Sequence, residues 1–164
     1  MHTVRQMLDF YRPSALDRKP ANLNALIDRV IKLLDAQFAS HQVVLARQYA
    51  SDLPLVLVVE NQIQQVFFNL FLNAIEAMPS GGEITVTTAH EDGNVLVLVT
   101  DSGPGIALET REEIFEPFVS SKEKGLGLGL TVSYGVVTAH GGSLTLLPED
   151  DGGACFQVSL PAYE

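Results

Sequence analysis

The chain has 164 residues, of which 46% are apolar and 18% charged, enough for one domain with a real core and too few charges for a disordered tail. The formal net charge of −10 argues against a nucleic-acid groove, because binding a polyanion needs clustered Lys and Arg. No apolar run approaches the ~18–20 residues of a membrane span, and the start lacks the apolar stretch of a signal peptide. We therefore expect a soluble, cytoplasmic chain whose single cysteine, Cys155, is buried and inert.

The N-terminal residues predict a short helix followed by a linker. A proline ends the helical pattern, and two prolines over residues 13–20 disfavour helix and indicate an extended connection. The apolar residues that share one helical face are Val4, Met7, Leu8 and Tyr11. We expect a helix end over 1–12, a linker over 13–20 and one domain over 21–164.

The rest of the chain predicts a mixture of helices and strands. Asn22 is a candidate N-cap for the first helix. Apolar periodicity predicts helices over 23–39, 60–78, 107–115 and 128–139. Alternation and turn signals predict strands over 43–49, 55–59, 83–89, 95–100, 143–147 and 154–160. Hairpins without strict βαβ alternation indicate an α+β two-layer sandwich, a mixed sheet covered on one face by helices.

Four short motifs occur in a fixed order, each weak alone and strong as a set. They are Gln65-Val66-Phe67-Phe68-Asn69-Leu70-Phe71-Leu72-Asn73-Ala74, Asp101-Ser102-Gly103-Pro104-Gly105, Phe115-Glu116-Pro117-Phe118 and Gly125-Leu126-Gly127-Leu128-Gly129. The set resembles the N, first glycine, F and second glycine boxes of the ATP-binding catalytic domain of bacterial sensor histidine kinases, a branch of the Bergerat-fold (GHKL) ATPases. The version Asn-Ala-Ile-Glu-Ala is similar to the nitrogen-regulation and dicarboxylate-sensing subgroup. The resemblance implies the Bergerat fold with a flexible ATP lid.

Amide side chains form a polar stripe on the predicted helix 60–78. Asn69, Asn73 and Glu76 fall at i, i+4 and i+7, beside the core stripe, where they can line a site or simply form a solvated face. The resemblance implies that Asn73 binds Mg²⁺ through its amide oxygen. It also implies that Asn69, Asn73 and Lys122 form the catalytic set.

Asp101 ends an apolar strand and opens a glycine turn, so a ligand can reach its carboxylate. Alone, this pattern is usually only a turn. The resemblance implies that Asp101 accepts a hydrogen bond from the adenine amino group. Guanine would present a carbonyl oxygen there and leave the carboxylate unpaired, at a cost of roughly 1–3 kcal/mol. Gly103 and Gly105 would let the backbone approach the base without a Cβ clash.

A glycine-rich segment precedes the predicted helix 128–139, where free N–H groups favour anions. Alone, it could equally be a packed turn. The resemblance implies a lid over the triphosphate, with Lys122 as its cationic contact; a solvated basic residue is the alternative. The residues that the resemblance implies for nucleotide binding are Asn73, Asp101, Gly103, Gly105, Phe118, Ser121, Lys122, Gly125, Gly127, Leu128 and Gly129.

Two departures limit the chemistry. Hydrolytic relatives carry a glutamate base at the position matching Asn69, and an amide cannot take a proton from water at neutral pH. The phosphoacceptor histidine box is missing, since His90 is predicted at a hairpin turn and not on a helix. We expect ordinary surface positions for all four histidines, namely His2, His41, His90 and His140.

The resemblance therefore implies a protein-histidine kinase catalytic domain that binds Mg-ATP. It would transfer the γ-phosphoryl group to a histidine on a dimerisation helix hairpin outside this chain. The implied partners are that phosphoacceptor domain and a response regulator receiver domain, without nucleic acid, and the isolated fragment would be a monomer or weak dimer. Whether the parent protein is anchored in the inner membrane is left open by the sequence. The alternatives are an anti-sigma-type serine kinase and a nucleotide-binding interaction module without catalysis.

Overall fold

The computed structural model describes residues 17–107, 111, 114–115, 129–148 and 152–163. The strands are β1 (Lys19–Ala21), β2 (Val43–Gln48), β3 (Val56–Val58), β4 (Gly82–Glu91), β5 (Asn94–Asp101), β6 (Ser143–Leu147) and β7 (Cys155–Pro161). The helices are α1 (Leu23–Leu33), α2 (Asp35–Ser40), α3 (Glu60–Ala77) and α4 (Gly129–Ala139). No described helix is both long and apolar enough to cross a membrane.

A five-stranded mixed sheet with the order β2-β4-β5-β7-β6 forms one layer. Strand β2 runs parallel to β4, and the other neighbours are antiparallel. The predicted hairpin is confirmed as β4 and β5, and Asp92 and Gly93 in its turn have positive φ values of 54° and 80°. The central strands bury every second residue, so one face of the sheet carries the core.

The helices form the second layer, which confirms the predicted α+β sandwich. The stripe of α3 predicted to face the core is buried and comprises Ile63, Val66, Phe67, Leu70, Phe71 and Ala74. Fully burying such large apolar side chains stabilises the fold by roughly 1.5–3 kcal/mol each. Helix α3 packs against α1, α4 and β5, so it occupies the centre of the helical layer. Cys155 is buried, as predicted.

The predicted helix over 23–39 is instead two helices. The side chain of Asn22 accepts a hydrogen bond from the Ala25 N–H at 3.2 Å, which confirms the N-cap. The helix is interrupted at Leu34, where φ is −97° and ψ is 9°. Leu34 is buried, and Phe38 on α2 packs against Phe71, with ring centroids 6.1 Å apart. No glycine or proline marks the break in the sequence, so apolar periodicity alone predicts a single helix.

Strand β3 does not belong to the main sheet. It pairs antiparallel with β1, with Lys19 opposite Val58 and Pro20 opposite Leu57. Lys19 and Pro20 were predicted in the linker over 13–20, and they form a strand instead. The division of the chain at residue 20 stays a prediction, because residues 1–16 lie outside the described part.

Candidate functional site

Asp101 is the last residue of β5, as the sequence predicted. Only 7% of its surface is exposed, and its backbone N–H donates to the carbonyl oxygen of Ala154 at 2.9 Å. Its Oδ1 accepts hydrogen bonds from the N–H of Gly103 at 2.9 Å and the N–H of Ala154 at 3.3 Å. Backbone groups from two separate segments therefore fix one carboxylate oxygen.

The second oxygen of Asp101 has a different environment. Within the described part of the chain, no group donates a hydrogen bond to Oδ2. Burial raises the pKa of Asp101 above its ordinary value of 3.8, and the two backbone hydrogen bonds oppose part of that rise. An ionised carboxylate oxygen accepts hydrogen bonds and donates none. This oxygen is therefore suited to a ligand that donates a hydrogen bond, such as one with an amino group.

Two glycines lie in the turn after Asp101. A Cβ at Gly103 would lie 3.0 Å from Asp101 Oδ1 and 3.1 Å from Met78 Cγ, so these side chains would have to shift slightly. Gly105 has a φ of 82°, and its Cβ would lie 3.0 Å from the carbonyl oxygen of Gly153. A side chain at position 105 would therefore be strained by both the backbone conformation and the close approach of Gly153. The backbone thus favours glycine at position 105, independently of any ligand.

The loop before β7 supplies groups that the sequence analysis missed. Gly153 donates its N–H to the Gly103 carbonyl oxygen at 2.9 Å, and Ala154 donates to Asp101. The sequence analysis treated this segment only as a connection. The adjacent glycines 152 and 153 are the signal that could have found it, because paired glycines indicate an unusual backbone conformation.

A second cluster of side chains joins α3 to α4. Asn69 Nδ2 donates to the carbonyl oxygen of Gly129, the first residue of α4, and to Ser133 Oγ, both at 3.2 Å. Asn69 Oδ1 accepts from Gln65 Nε2 at 3.0 Å. The structure thus brings Asn69 and Gly129 together, and it adds Ser133, which the sequence analysis did not single out.

Asn73 follows Asn69 by one turn of α3 and is half-buried, whereas Glu76 is exposed. Its amide oxygen is the kind of hard ligand that magnesium takes, usually together with phosphate oxygens and water. Among the described residues there is no group of three or more His, Cys, Asp or Glu that could hold a metal ion. A single amide ligand fits a magnesium ion that takes its other ligands from phosphate oxygens and water.

The predicted lid lies outside the described residues. The site residues that lie outside them, and stay predictions, are Phe118, Ser121, Lys122, Gly125, Gly127 and Leu128. Most of the predicted helix 107–115 is also outside. Phe115 is described, and its ring stacks on Tyr134 with centroids 5.2 Å apart and meets Phe156 edge-on at 6.2 Å. The start of the F box therefore lies against α4.

His140 is not the surface residue that the sequence analysis expected. It is 5% exposed, its Nε2 accepts the N–H of Val59 at 3.1 Å, and its Nδ1 lies 2.8 Å from the carbonyl oxygen of Val136. These partners require a neutral ring protonated on Nδ1, and burial lowers its pKa below 6.5. The expectation was wrong because Val59 is 81 residues away in the chain. His90 is exposed on β4 opposite Val95, which confirms that it is not on a helix.

The fold is a two-layer α/β sandwich with a buried carboxylate at the end of β5. Residues 58–164 match the family described as histidine kinase-, DNA gyrase B-, and HSP90-like ATPase. The chain belongs to this family. The match includes α3, β5, the turn after Asp101 and α4, which are the elements that carry the site.

Similarity to curated proteins extends over nearly the whole chain. Sporulation kinase C of Bacillus subtilis (strain 168) is 36% identical over 96% of this chain and 37% of its own length. Sensor histidine kinase ZraS of Escherichia coli (strain K12) is 34% identical over 96% of this chain and 34% of its own length. The chain thus spans about a third of the length of these relatives.

Solved structures have the same fold. The nucleotide-free catalytic domain of histidine kinase ThkA is 31% identical with a TM-score of 0.80, over 88% of this chain and 95% of that chain. Full-length ShkA in complex with AMPPNP is 28% identical with a TM-score of 0.82, over 97% of this chain and 34% of that chain. ThkA in complex with response regulator protein TrrA is 29% identical with a TM-score of 0.78, over 89% of this chain and 42% of that chain. The chain therefore has the fold of a histidine kinase catalytic domain.

Proposed function

We propose that this chain binds ATP with magnesium and transfers the γ-phosphoryl group to a histidine on a separate dimerisation helix hairpin. The observation that carries the proposal is Asp101, a buried carboxylate with one oxygen fixed by backbone donors and the other without a described donor. The chain belongs to this ATPase family and is similar to sensor histidine kinases. An adenine nucleotide is therefore the ligand we propose for the second oxygen of Asp101.

Adenine recognition follows from the unused oxygen of Asp101. The exocyclic amine of adenine donates a hydrogen bond, so it satisfies Oδ2 and relieves the penalty of burying the carboxylate. Guanine presents a carbonyl oxygen at that position, which would face the carboxylate as a second acceptor. We therefore expect ATP to bind more tightly than GTP. The AMPPNP complex of ShkA, a neighbour in fold, supports an adenine nucleotide as the ligand.

The phosphate end of the nucleotide would lie towards α3 and α4. Asn73 would hold magnesium through its amide oxygen, and the bound cation would neutralise charge on the phosphate oxygens. The glycine motif ending at Gly129 would supply N–H groups to the phosphates, as helix N-termini commonly do. Ser121 and Lys122 would contact the terminal phosphate from the lid.

Transfer to histidine is favoured over hydrolysis by the state of Asn69. Its Nδ2 donates to Gly129 and Ser133, and an amide has no basic site for activating water near neutral pH. A histidine nucleophile needs no such base, because its unprotonated nitrogen is already nucleophilic. Such a reaction depends mainly on positioning and charge stabilisation.

The proposal names partners outside the chain. They are a helix hairpin that carries the phosphoacceptor histidine and a response regulator receiver domain, and the complex of ThkA with TrrA supports the second of these by similarity. The names of sensor histidine kinase ZraS and histidine kinase ThkA support a histidine acceptor over the serine kinase alternative. The proposal also implies a cytoplasmic chain, because ATP is available there.

The test mixes this chain with a separately prepared helix hairpin from a similar sensor kinase and ATP labelled at the γ position. We expect acid-labile label on the hairpin, none on the chain itself, and very slow release of inorganic phosphate. Asn73→Ala should abolish transfer, because the metal loses its amide ligand. The acid stability of the label separates phosphohistidine from phosphoserine.

His90→Ala is the matched control, since His90 is exposed on β4 and outside the proposed site. It should leave transfer unchanged. Acid-labile label on the isolated chain that disappears in His90→Ala would contradict the proposal. Acid-stable label on a serine would support the rival kinase, and nucleotide binding without transfer to any hairpin tested would support the interaction module.

A further inference from the structure

Two pairs of residues, each spaced by one helical turn, meet between α3 and α4. Gln65 and Asn69 are at i and i+4 on α3, and Gly129 and Ser133 are at i and i+4 on α4, so each pair lies on one face of its helix. Hydrogen bonds run from Gln65 to Asn69 and from Asn69 to both residues of α4, at 3.0, 3.2 and 3.2 Å. We name this set the amide clip.

The amide clip has a fixed polarity. Asn69 uses its Nδ2 on two acceptors of α4 and its Oδ1 on a donor of α3. A reversed amide would point Oδ1 at the Gly129 carbonyl oxygen, so two acceptors would face each other. Gln65 favours the observed orientation, because its Nε2 donates a hydrogen bond to Asn69 Oδ1 there. The side chain at position 65 therefore influences how Asn69 bonds to α4.

Ser133 is the buried end of the clip. It is 0% exposed, and its hydroxyl lies in the interface between the two helices. A buried hydroxyl and its partner lose stability when either is left unsatisfied. Ser133 is therefore suited to holding α4 at one position against α3, and neither the four sequence motifs nor the proposed chemistry uses it.

The clip acts at the residue where the glycine motif ends. Gly129 has no described atom closer than Asn69 Cγ at 3.7 Å to the place where a Cβ would be. A Cβ there would make ordinary van der Waals contact with Asn69, so packing within the described residues does not require a glycine. The position of Gly129 relative to Asn73, one turn after Asn69 on α3, depends on how the clip joins the two helices.

We propose that Ser133 and Gln65 are positioning residues that act through Asn69 to fix the N-terminus of α4 for nucleotide phosphates. This inference rests on the proposed function. The first arm of its test needs no nucleotide. In the isotopically labelled chain, NMR should detect scalar coupling through the hydrogen bond between Asn69 Nδ2 and the Gly129 carbonyl carbon. The coupling should persist in Gln65→Lys, which keeps a donor, and disappear in Gln65→Glu, which has none.

The second arm measures the affinity for Mg-AMPPNP by calorimetry. We expect Ser133→Ala to weaken binding about 5- to 20-fold, in line with the loss of one or two hydrogen bonds, and Gln65→Glu to weaken it less, because the hydrogen bond from Gln65 is exposed. Thr138→Ala removes an exposed hydroxyl from the same helix and should stay close to wild type. Asn61 is an exposed residue one helical turn before Gln65. Asn61→Asp and Asn61→Lys add the same charges as Gln65→Glu and Gln65→Lys, so they measure the effect of charge alone on nucleotide affinity.

The outcomes are separable. Coupling that is absent in the wild type, or unchanged in Gln65→Glu, overturns the amide clip. If Ser133→Ala binds Mg-AMPPNP as tightly as the wild type, Ser133 is not a positioning residue. If Gln65→Lys and Gln65→Glu bind equally tightly once the charge effect measured at Asn61 is subtracted, Gln65 is not one either. Thermal unfolding of each variant separates a loss of position from a loss of fold. A wild-type chain that binds no adenine nucleotide overturns the proposed function, and the coupling in the same sample still decides whether the clip exists.

Discussion

Asp101 and His140 are both buried titratable residues, at 7% and 5% exposure, yet they use their hydrogen-bonding atoms differently. His140 has partners on both ring nitrogens, Val59 and Val136. Asp101 has backbone donors on Oδ1 and, among the described residues, none on Oδ2. Burial alone therefore does not mark a ligand site. The two residues differ in whether an acceptor atom is left for a ligand, and only Asp101 has one.

The same physical cause moves the two pKa values in opposite directions. Burial raises the pKa of Asp101 above 3.8, so its contribution to stability is present below that pH and is lost as the pH rises through the folded-state pKa. Burial lowers the pKa of His140 below 6.5, so its contribution is present above that pH and is lost as the pH falls through the folded-state pKa. A ligand that donates a hydrogen bond to Asp101 can offset the stability lost when its carboxyl ionises. His140 has no unused ring nitrogen for a ligand.

The largest expected effect is on the backbone that holds Asp101. A Cβ at Gly153 would overlap the Asp101 carbonyl oxygen, so Gly153→Ala must move the loop. Gly152→Ala is the control, because Gly152 also has a positive φ, 91°, but its Cβ would be 3.9 Å from its nearest described neighbour. Urea unfolding should give losses of about 3 kcal/mol or more for Gly153→Ala and about 1–2 kcal/mol for Gly152→Ala. Equal losses would contradict the role given to this loop.

Asp101→Asn should have the next largest effect, and it changes mainly the unused oxygen. The amide Oδ1 can still accept from Gly103 and Ala154, and a buried charge is removed, so stability at pH 7 should not fall. The new Nδ2 would face the adenine amine donor to donor. Calorimetry should give an ATP affinity weaker by about 10- to 150-fold, which corresponds to roughly 1.5–3 kcal/mol. Unchanged affinity, or equal wild-type affinities for ATP and GTP, would contradict adenine recognition by Asp101.

Features of the site that depend on local spacing could be predicted from the sequence. Asn69 and Asn73 are one helical turn apart, and Asp101 ends an alternating strand, so their placement follows from periods of 3.6 and 2 residues. The residues that complete the Asp101 site could not be predicted this way. Gly153 and Ala154 reach it because β7 pairs with β5 in one particular register, across more than fifty residues of chain.

The fold divides in the same manner. The hairpin of β4 and β5 and the core stripe of α3 follow from turn chemistry and apolar periodicity, and both are confirmed. The partner of β3 does not follow from them, because an isolated three-residue strand carries no information on whether β1 or β2 lies beside it. The burial of His140 is non-local too, since it depends on where the end of α4 meets the chain at Val59.

The smallest expected effect concerns the pH dependence of His140. Protonation of Nε2 would remove the acceptor for the Val59 N–H, and burial and the charge of Arg18 both disfavour the charged ring. The wild type should therefore lose stability as the pH falls from 8 to 5.5, by up to about 1.4 kcal/mol, because one group contributes about 1.36 kcal/mol per pH unit below its unfolded-state pKa of 6.5. His140→Gln offers an amide oxygen to Val59 and does not titrate in this range.

The measurement is the free energy of unfolding in urea at several pH values between 8 and 5.5. His140→Gln should be less stable than the wild type at pH 8, because an amide fits the space of the imidazole imperfectly, and its stability should change less on acidification. His90→Gln, an exposed histidine on β4, should follow the wild-type curve and controls for histidine loss in general. Parallel curves for the wild type and His140→Gln would mean that the buried imidazole does not resist protonation. The distinction drawn between His140 and Asp101 would then rest on hydrogen bonding alone.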